Sequence, residues 1–121
     1  MSMESNDEVK DVSIIIPVLN EEENIHPLVE EIIEAMEERR YEIIFVDDGS
    51  TDSTVEILME LRSKNPDIRI LKLKRNYGKA TAMAAGFDLA RGKTSITMDG
   101  DLQDDPAEIP RFLASIDEGS D

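Results

Sequence analysis

The sequence predicts an α/β fold, a mostly parallel sheet with helices on both faces. Three observations lead there. Four short apolar runs, rich in β-branched residues, read as strands. Each is followed by apolar residues recurring at helical spacing. The segment after each strand is polar, while the connections back, "ERR" and "SKNPD", read as ordinary surface turns. The order βαβαβαβα calls for crossover connections, hence parallel strands and right-handed crossovers.

Residues 1–11 are polar and are expected to form a disordered tail, with the domain running over 12–121. Val12 to Pro17, "VSIIIP", is a buried strand. Ile25, Leu28, Val29, Ile32, Ile33 and Met36 mark the first helix. Pro27 is tolerated only in a first helical turn, so that helix begins near Asn24 and 17–23 is loop. Tyr41 to Val46, "YEIIFV", is the second strand. Val55, Leu58, Met59 and Leu61 give the second helix, starting near Ser53 with Thr51 or Asp52 as its cap. Ile68 to Leu73 alternates, as a strand near an edge does. Ala80 to Ala90 is an alanine-rich helix with Gly92 in the position of a C-cap. Thr94 to Met98 is the fourth strand, and Ile109, Phe112, Leu113 and Ile116 stripe the last helix. The end, "SIDEGSD", gives no closure after a final strand, so the chain is expected to stop inside a larger domain.

Composition narrows the function. The chain has 121 residues, suited to one domain or a piece of one, and a formal charge of −15. That charge argues against a nucleic-acid partner and against an electrostatic hold on anionic lipid. It fits a protein whose counter-ions are cations. There is no cysteine and one histidine, His26, which disfavours zinc and excludes disulfides. No apolar run approaches the ~18 residues of a membrane span.

In open α/β sheets ligands bind beyond the carboxyl ends of the strands, so the loops there carry the chemistry. After strand one, "PVLNEEEN" either complements a helix dipole or wraps a ligand's base or ribose. After strand two, a turn and a helix cap explain Gly49 to Asp52. They do not explain Asp47 and Asp48, two carboxylates at the end of a buried strand, of which one must face the rim. After strand three, Arg75 and Lys79 are cations beside Gly78, able to neutralise the rim or to meet a diphosphate at a helix start. After strand four, "MDGDLQDDP" places Asp99 and Asp101 two residues apart, so both carboxylates can converge in an extended turn. Hard oxygen ligands of this kind suit Mg²⁺ or Mn²⁺ with substrate phosphates completing the shell, and Gln103 adds a neutral oxygen. Asp104, Asp105 and Pro106 read as the start of the last helix.

Taken together, "VSIIIPVLNEEENI", "EIIFVDDGSTDSTVEIL", "KRNYGKATAMAAGFDLARG" and "ITMDGDLQDDPAEIP" resemble, in order and spacing, the N-terminal half of inverting family 2 glycosyltransferases of the GT-A fold. The D-x-D-L-Q form with Pro-x-E resembles the branch acting on polyprenyl phosphates, such as dolichol-phosphate mannose synthases and bactoprenol glucosyltransferases. The resemblance covers about residues 11–121. It implies a Rossmann-like half that binds a UDP- or GDP-hexose and transfers the hexose, with inversion, to a dolichyl or undecaprenyl phosphate. A polysaccharide or other non-lipid acceptor is the alternative. It implies donor contacts at Pro17, Val18, Leu19, Asn20 and Glu21, although many relatives carry an aromatic residue at the Leu19 position. Asp48 would meet the nucleobase with Asp47 behind or beside it. Arg75, Gly78, Lys79, Asp99 and Gly100 would lie near the donor, and Asp99, Asp101 and Gln103 would hold Mg²⁺ or Mn²⁺. Catalytic and acceptor-binding residues are expected beyond Asp121, as are the C-terminal membrane helices of many members. The expected location is the cytoplasm, at the cytoplasmic face of the membrane. An incomplete sheet keeps an unpaired edge, a route to a homo-oligomer or to aggregation.

Two rival readings fit less of the sequence. A receiver-like Mg²⁺-binding signalling domain needs an Asp after strand three, where this chain has "KLKRN". A nucleotidyltransferase needs a glycine-rich phosphate loop after strand one, and that loop has no glycine.

Overall fold

The computed structural model describes residues 10–36, 39–101 and 105–115. Four parallel strands, β1 (Lys10–Val18), β2 (Tyr41–Asp47), β3 (Ile68–Lys72) and β4 (Gly92–Thr97), stand in the order β3-β2-β1-β4. Helices α1 (Ile25–Ala35), α2 (Thr54–Lys64), α3 (Lys79–Leu89) and α4 (Glu108–Ser115) alternate with them. The two central strands are the most apolar, as burial on both faces demands.

The sheet's two faces are packed differently. Ile14, Ile16, Ile43 and Phe45 meet Leu28 and Ile32 of α1, Leu58 of α2, and Ile109 and Leu113 of α4 in the larger core. Ile15, Ile44 and Val46 on the other face meet Ala82 of α3. The first two crossovers step one way along the sheet with their helices on one face. The third steps back past β1 with its helix on the other, the swap that connections of a single hand require. This reversal puts a topological switch point between β1 and β4, where a ligand crevice is expected.

Pro17 sits inside β1, a central strand, where proline is normally excluded. Ile15 and Pro17 face the same neighbour, and the Ile15 carbonyl accepts from Met98 N–H at 3.0 Å on the β4 side. The missing N–H of Pro17 therefore points toward β4, beyond the last paired residues, Ile15 and Thr97. On the β2 side β1 continues, with Pro17 opposite Val46 and Val18 opposite Asp47. The two strands part just where proline can no longer bond.

Several expected boundaries are corrected. Lys10 and Asp11 belong to β1, where Lys10 lies opposite Gly92 and its ammonium pairs with Asp67 at 2.9 Å. The first strand keeps its expected Pro17 and runs on through Val18, so the loop begins after Val18 and not at 17. Gly92 opens β4 and does not cap α3, whose C-cap is the extended Ala90. A Cβ at Gly92 would lie 2.6 Å from the Ser13 amide nitrogen, so glycine there permits the close approach of β4 to β1. Ser53 holds the N-cap position of α2, and Asp52 supports it from one residue earlier. Residues 1–9, Gln103, Asp104 and Ile116 lie outside the described residues.

Candidate functional site

A cavity of about 250 Å³ opens at the carboxyl ends of β1 and β4. Pro17, Val18, Leu19 and Glu21 line it from β1 and the loop after it. Asp48 comes from the end of β2, Gly78 and Lys79 from the start of α3, and Asp99, Gly100 and Asp101 from the loop after β4. Asn76 completes the lining and was not singled out from sequence. Its one sequence signal is its place between Arg75 and Gly78 in the loop after a strand.

The four loops are tied one to the next. Asn20 joins the first to the second: its Oδ1 accepts from the Thr51 and Asp52 N–H groups at 2.8 and 3.2 Å. Asp48 joins the second to the third, its two carboxylate oxygens accepting from Tyr77 N–H at 2.8 Å and Gly78 N–H at 3.0 Å. Gly49, at φ +97°, lets the same two loops touch, since a Cβ there would lie 2.9 Å from the Asn76 nitrogen. Lys79 joins the third to the fourth through an ion pair with Asp99. Gly100 closes the ring against the first, where a Cβ would meet Val18 Cγ1 at 2.8 Å.

Three of the residues singled out from sequence stand outside the lining. Asp47 is fully buried, and both its oxygens accept from Ser50 N–H at 3.3 Å, which fixes the turn after β2. Arg75 lies over the Tyr77 ring, 5.0 Å from its centroid. Asn20 turns its side chain to the neighbouring loop. Asp52 also serves that loop. Burial alone would raise its pKa, but bonds from the Thr54 hydroxyl and N–H and from Glu22 N–H outweigh burial and lower it.

The cavity's charge is lopsided. Four carboxylates (Glu21, Asp48, Asp99 and Asp101) and one ammonium (Lys79) line it. Among the described residues no three acidic or histidine side chains gather into a ready-made metal cage. Two carboxylates on one short loop are nevertheless the donor set that Mg²⁺ or Mn²⁺ takes when substrate phosphates and water supply the remaining ligands. Asp99 and Asp101 therefore fit such an ion. Among the described residues no helix is long and apolar enough to cross a membrane.

Comparison with known proteins bears on this arrangement. The model of "Glycosyl transferase family 2" matches residues 13–121. The dodecaprenyl-phosphate galacturonate synthase of Rhizobium johnstonii is 43% identical over 118 residues, covering 93% of this chain and 35% of that protein. The S. aureus TarS 1–349 structure in complex with UDP-GlcNAc superposes with a TM-score of 0.75 at 27% identity, over 89% of this chain and 31% of that one. The mannosyltransferase PcManGT from Pyrobaculum calidifontis, in complex with GDP-Man and Mn²⁺, gives 0.69 at 25% identity, over 79% and 29%. The chain spans about a third of the length of these relatives.

Proposed function

We propose a reading that proceeds from one premise: the chain belongs to glycosyltransferase family 2. The cavity is the donor site of a transferase that moves a hexose or hexuronate from a nucleoside-diphospho-sugar to a polyprenyl phosphate, with inversion. The charge of the cavity carries this reading. A diphosphate entering a space walled by four carboxylates and one ammonium is repelled unless further positive charge enters with it. A divalent ion bound together with the donor would supply that charge.

Asp99 and Asp101 would hold the ion, with Gln103 a further candidate outside the described residues. When bound, the ion stabilises the leaving nucleoside diphosphate as a Lewis acid. Lys79 stands beside Asp99 in the first turn of α3, and its ammonium would reach the same charge. Pro17, Val18, Leu19 and Glu21 would form the wall on the nucleoside side, with Asp48 beside Val18, to whose carbonyl its N–H donates at 2.9 Å. The acceptor oxygen attacks the anomeric carbon as the bond to the diphosphate breaks on the opposite side. A lipid phosphate is already an anion and needs little help from a base, which leaves positioning and charge stabilisation as the main terms. Such an acceptor places the reaction at a membrane surface, and the nucleotide-sugar places it on the cytoplasmic side. The name of the 43% identical relative supports a polyprenyl phosphate acceptor, and the bound UDP-GlcNAc and GDP-Man of the structural relatives support the donor class.

The test is calorimetric titration of UDP, UDP-glucose, UDP-galacturonic acid, GDP and GDP-mannose, each with Mn²⁺ and with EDTA. Binding of one nucleotide series that needs Mn²⁺ is the expected result. Equal affinity in EDTA removes the metal bridge, and no binding to folded protein removes the donor site.

A further inference from the structure

The geometry points to Asn20 as the positioning residue that sets the nucleoside wall of the cavity, a role resting on the donor-site reading above. Asn20 is the one non-glycine residue with positive φ among those described, at +55°. L-residues avoid that conformation, and asparagine tolerates it best because its short side chain can bond nearby backbone. Strain of this kind persists where surrounding structure fixes it, and it gathers at functional sites.

The surroundings here are explicit. The Asn20 amide oxygen accepts from Thr51 N–H, from Asp52 N–H and, at 3.4 Å, from the Thr51 hydroxyl. Two backbone donors on that atom fix which end of the amide is oxygen. Its own N–H donates to Ser50 Oγ at 2.8 Å. The next residue repeats the stitch, Glu21 N–H donating to Thr54 Oγ1 at 2.9 Å. Asn20 is itself exposed, so it serves no core. Its two neighbours, Leu19 and Glu21, both line the cavity while Asn20 does not. The left-handed turn and the three-donor latch thus decide how those neighbours face the ligand.

Three variants separate the latch from the turn. Asn20→Gly keeps the φ and removes the acceptor, Asn20→Ala loses both, and Asn20→Asp keeps both. Amide hydrogen exchange of Thr51 and Asp52 reads the latch, and calorimetric titration of UDP and GDP with Mn²⁺ reads the site. In Asn20→Gly the two amides are expected to exchange about tenfold faster, and nucleotide affinity to fall about tenfold, with the protein still folded. Asn20→Ala should lose more, and Asn20→Asp should restore most of both. Unchanged exchange in Asn20→Gly overturns the latch, whatever the nucleotide does. Faster exchange with wild-type affinity overturns the positioning role. If even the wild type binds neither nucleotide while the exchange difference holds, the donor-site reading fails and takes the positioning role with it, leaving the latch as a feature of the fold.

Discussion

The two ends of the sheet handle acid in opposite ways. At the amino end Glu42 is 1% exposed and accepts from the Ser13 hydroxyl at 2.6 Å, Arg91 N–H at 2.7 Å and Arg69 Nη1 at 2.9 Å. Arg69 in turn donates to the Leu89 carbonyl, and Ser13 Oγ accepts from Gly92 N–H. Lys10 and Asp67 add a second pair nearby. At the carboxyl end, Asp48 spends its oxygens on backbone, Asp99 has Lys79, and the cavity still holds more carboxylates than cations. The amino end neutralises its buried carboxylate inside the chain. Under the donor-site proposal, the carboxyl end would take further positive charge along with its ligand.

The largest effect on this contrast is expected from Glu42→Gln. It leaves Arg69 without its carboxylate partner and should cost about 2–3 kcal/mol in chemical denaturation, less than the roughly 3–5 kcal/mol of a fully buried pair because Arg69 is partly exposed. Nucleotide affinity of the folded variant should not change; a loss there would mean that the two ends are coupled. Acid sharpens the same point. Burial alone pushes the Glu42 carboxyl up, but the bonds from Ser13, Arg91 and Arg69 outweigh burial and hold it below the ordinary glutamate value. A lowered folded pKa gives stability that is full above the unfolded value, about 4.3, and lost as pH falls through the folded value. The stability gap between wild type and Glu42→Gln should therefore be constant near neutrality and shrink in acid. A gap that widens in acid would contradict the network.

Asp101→Asn should do the reverse. Mn²⁺-dependent nucleotide affinity should fall about a hundredfold, since even outer partners of a metal are worth about 10–100-fold. Stability should fall by less than in Glu42→Gln, because Asp101 is half-buried where Glu42 is fully buried. A stability loss as large as that of Glu42→Gln would make Asp101 a structural residue and erase the contrast. The smallest effect is expected from Lys10→Met. It removes a partly buried pair yet keeps the apolar stem packed, for about 1 kcal/mol by thermal melting and none in binding.

Much of this arrangement was legible in the sequence. Four apolar runs and their helical partners can alternate in few other ways, and the rim follows from parallel strands. "DGD" after the fourth strand marked two of the cavity's carboxylates before any geometry was known. What stayed hidden depended on pairing across the chain. Lys10 and Asp11 look like polar tail until Lys10 meets Gly92 and Asp67. Gly92 has the right place for a helix cap, and only the approach of β1 makes it strand. The Glu42 network draws on residues 13, 42, 69 and 91, whose spacing carries no periodic signal. The commitment of Asp48 to the Tyr77 and Gly78 amides, and the bending of Arg75 onto Tyr77, are likewise tertiary facts.

One proline also bears on the shape of the cavity's mouth. Because Pro17 has no N–H to offer, β4 cannot zip onward along β1, and the gap between the two strands is written into the covalent chain. The width of the cavity's mouth is thus fixed by covalent structure as well as by packing.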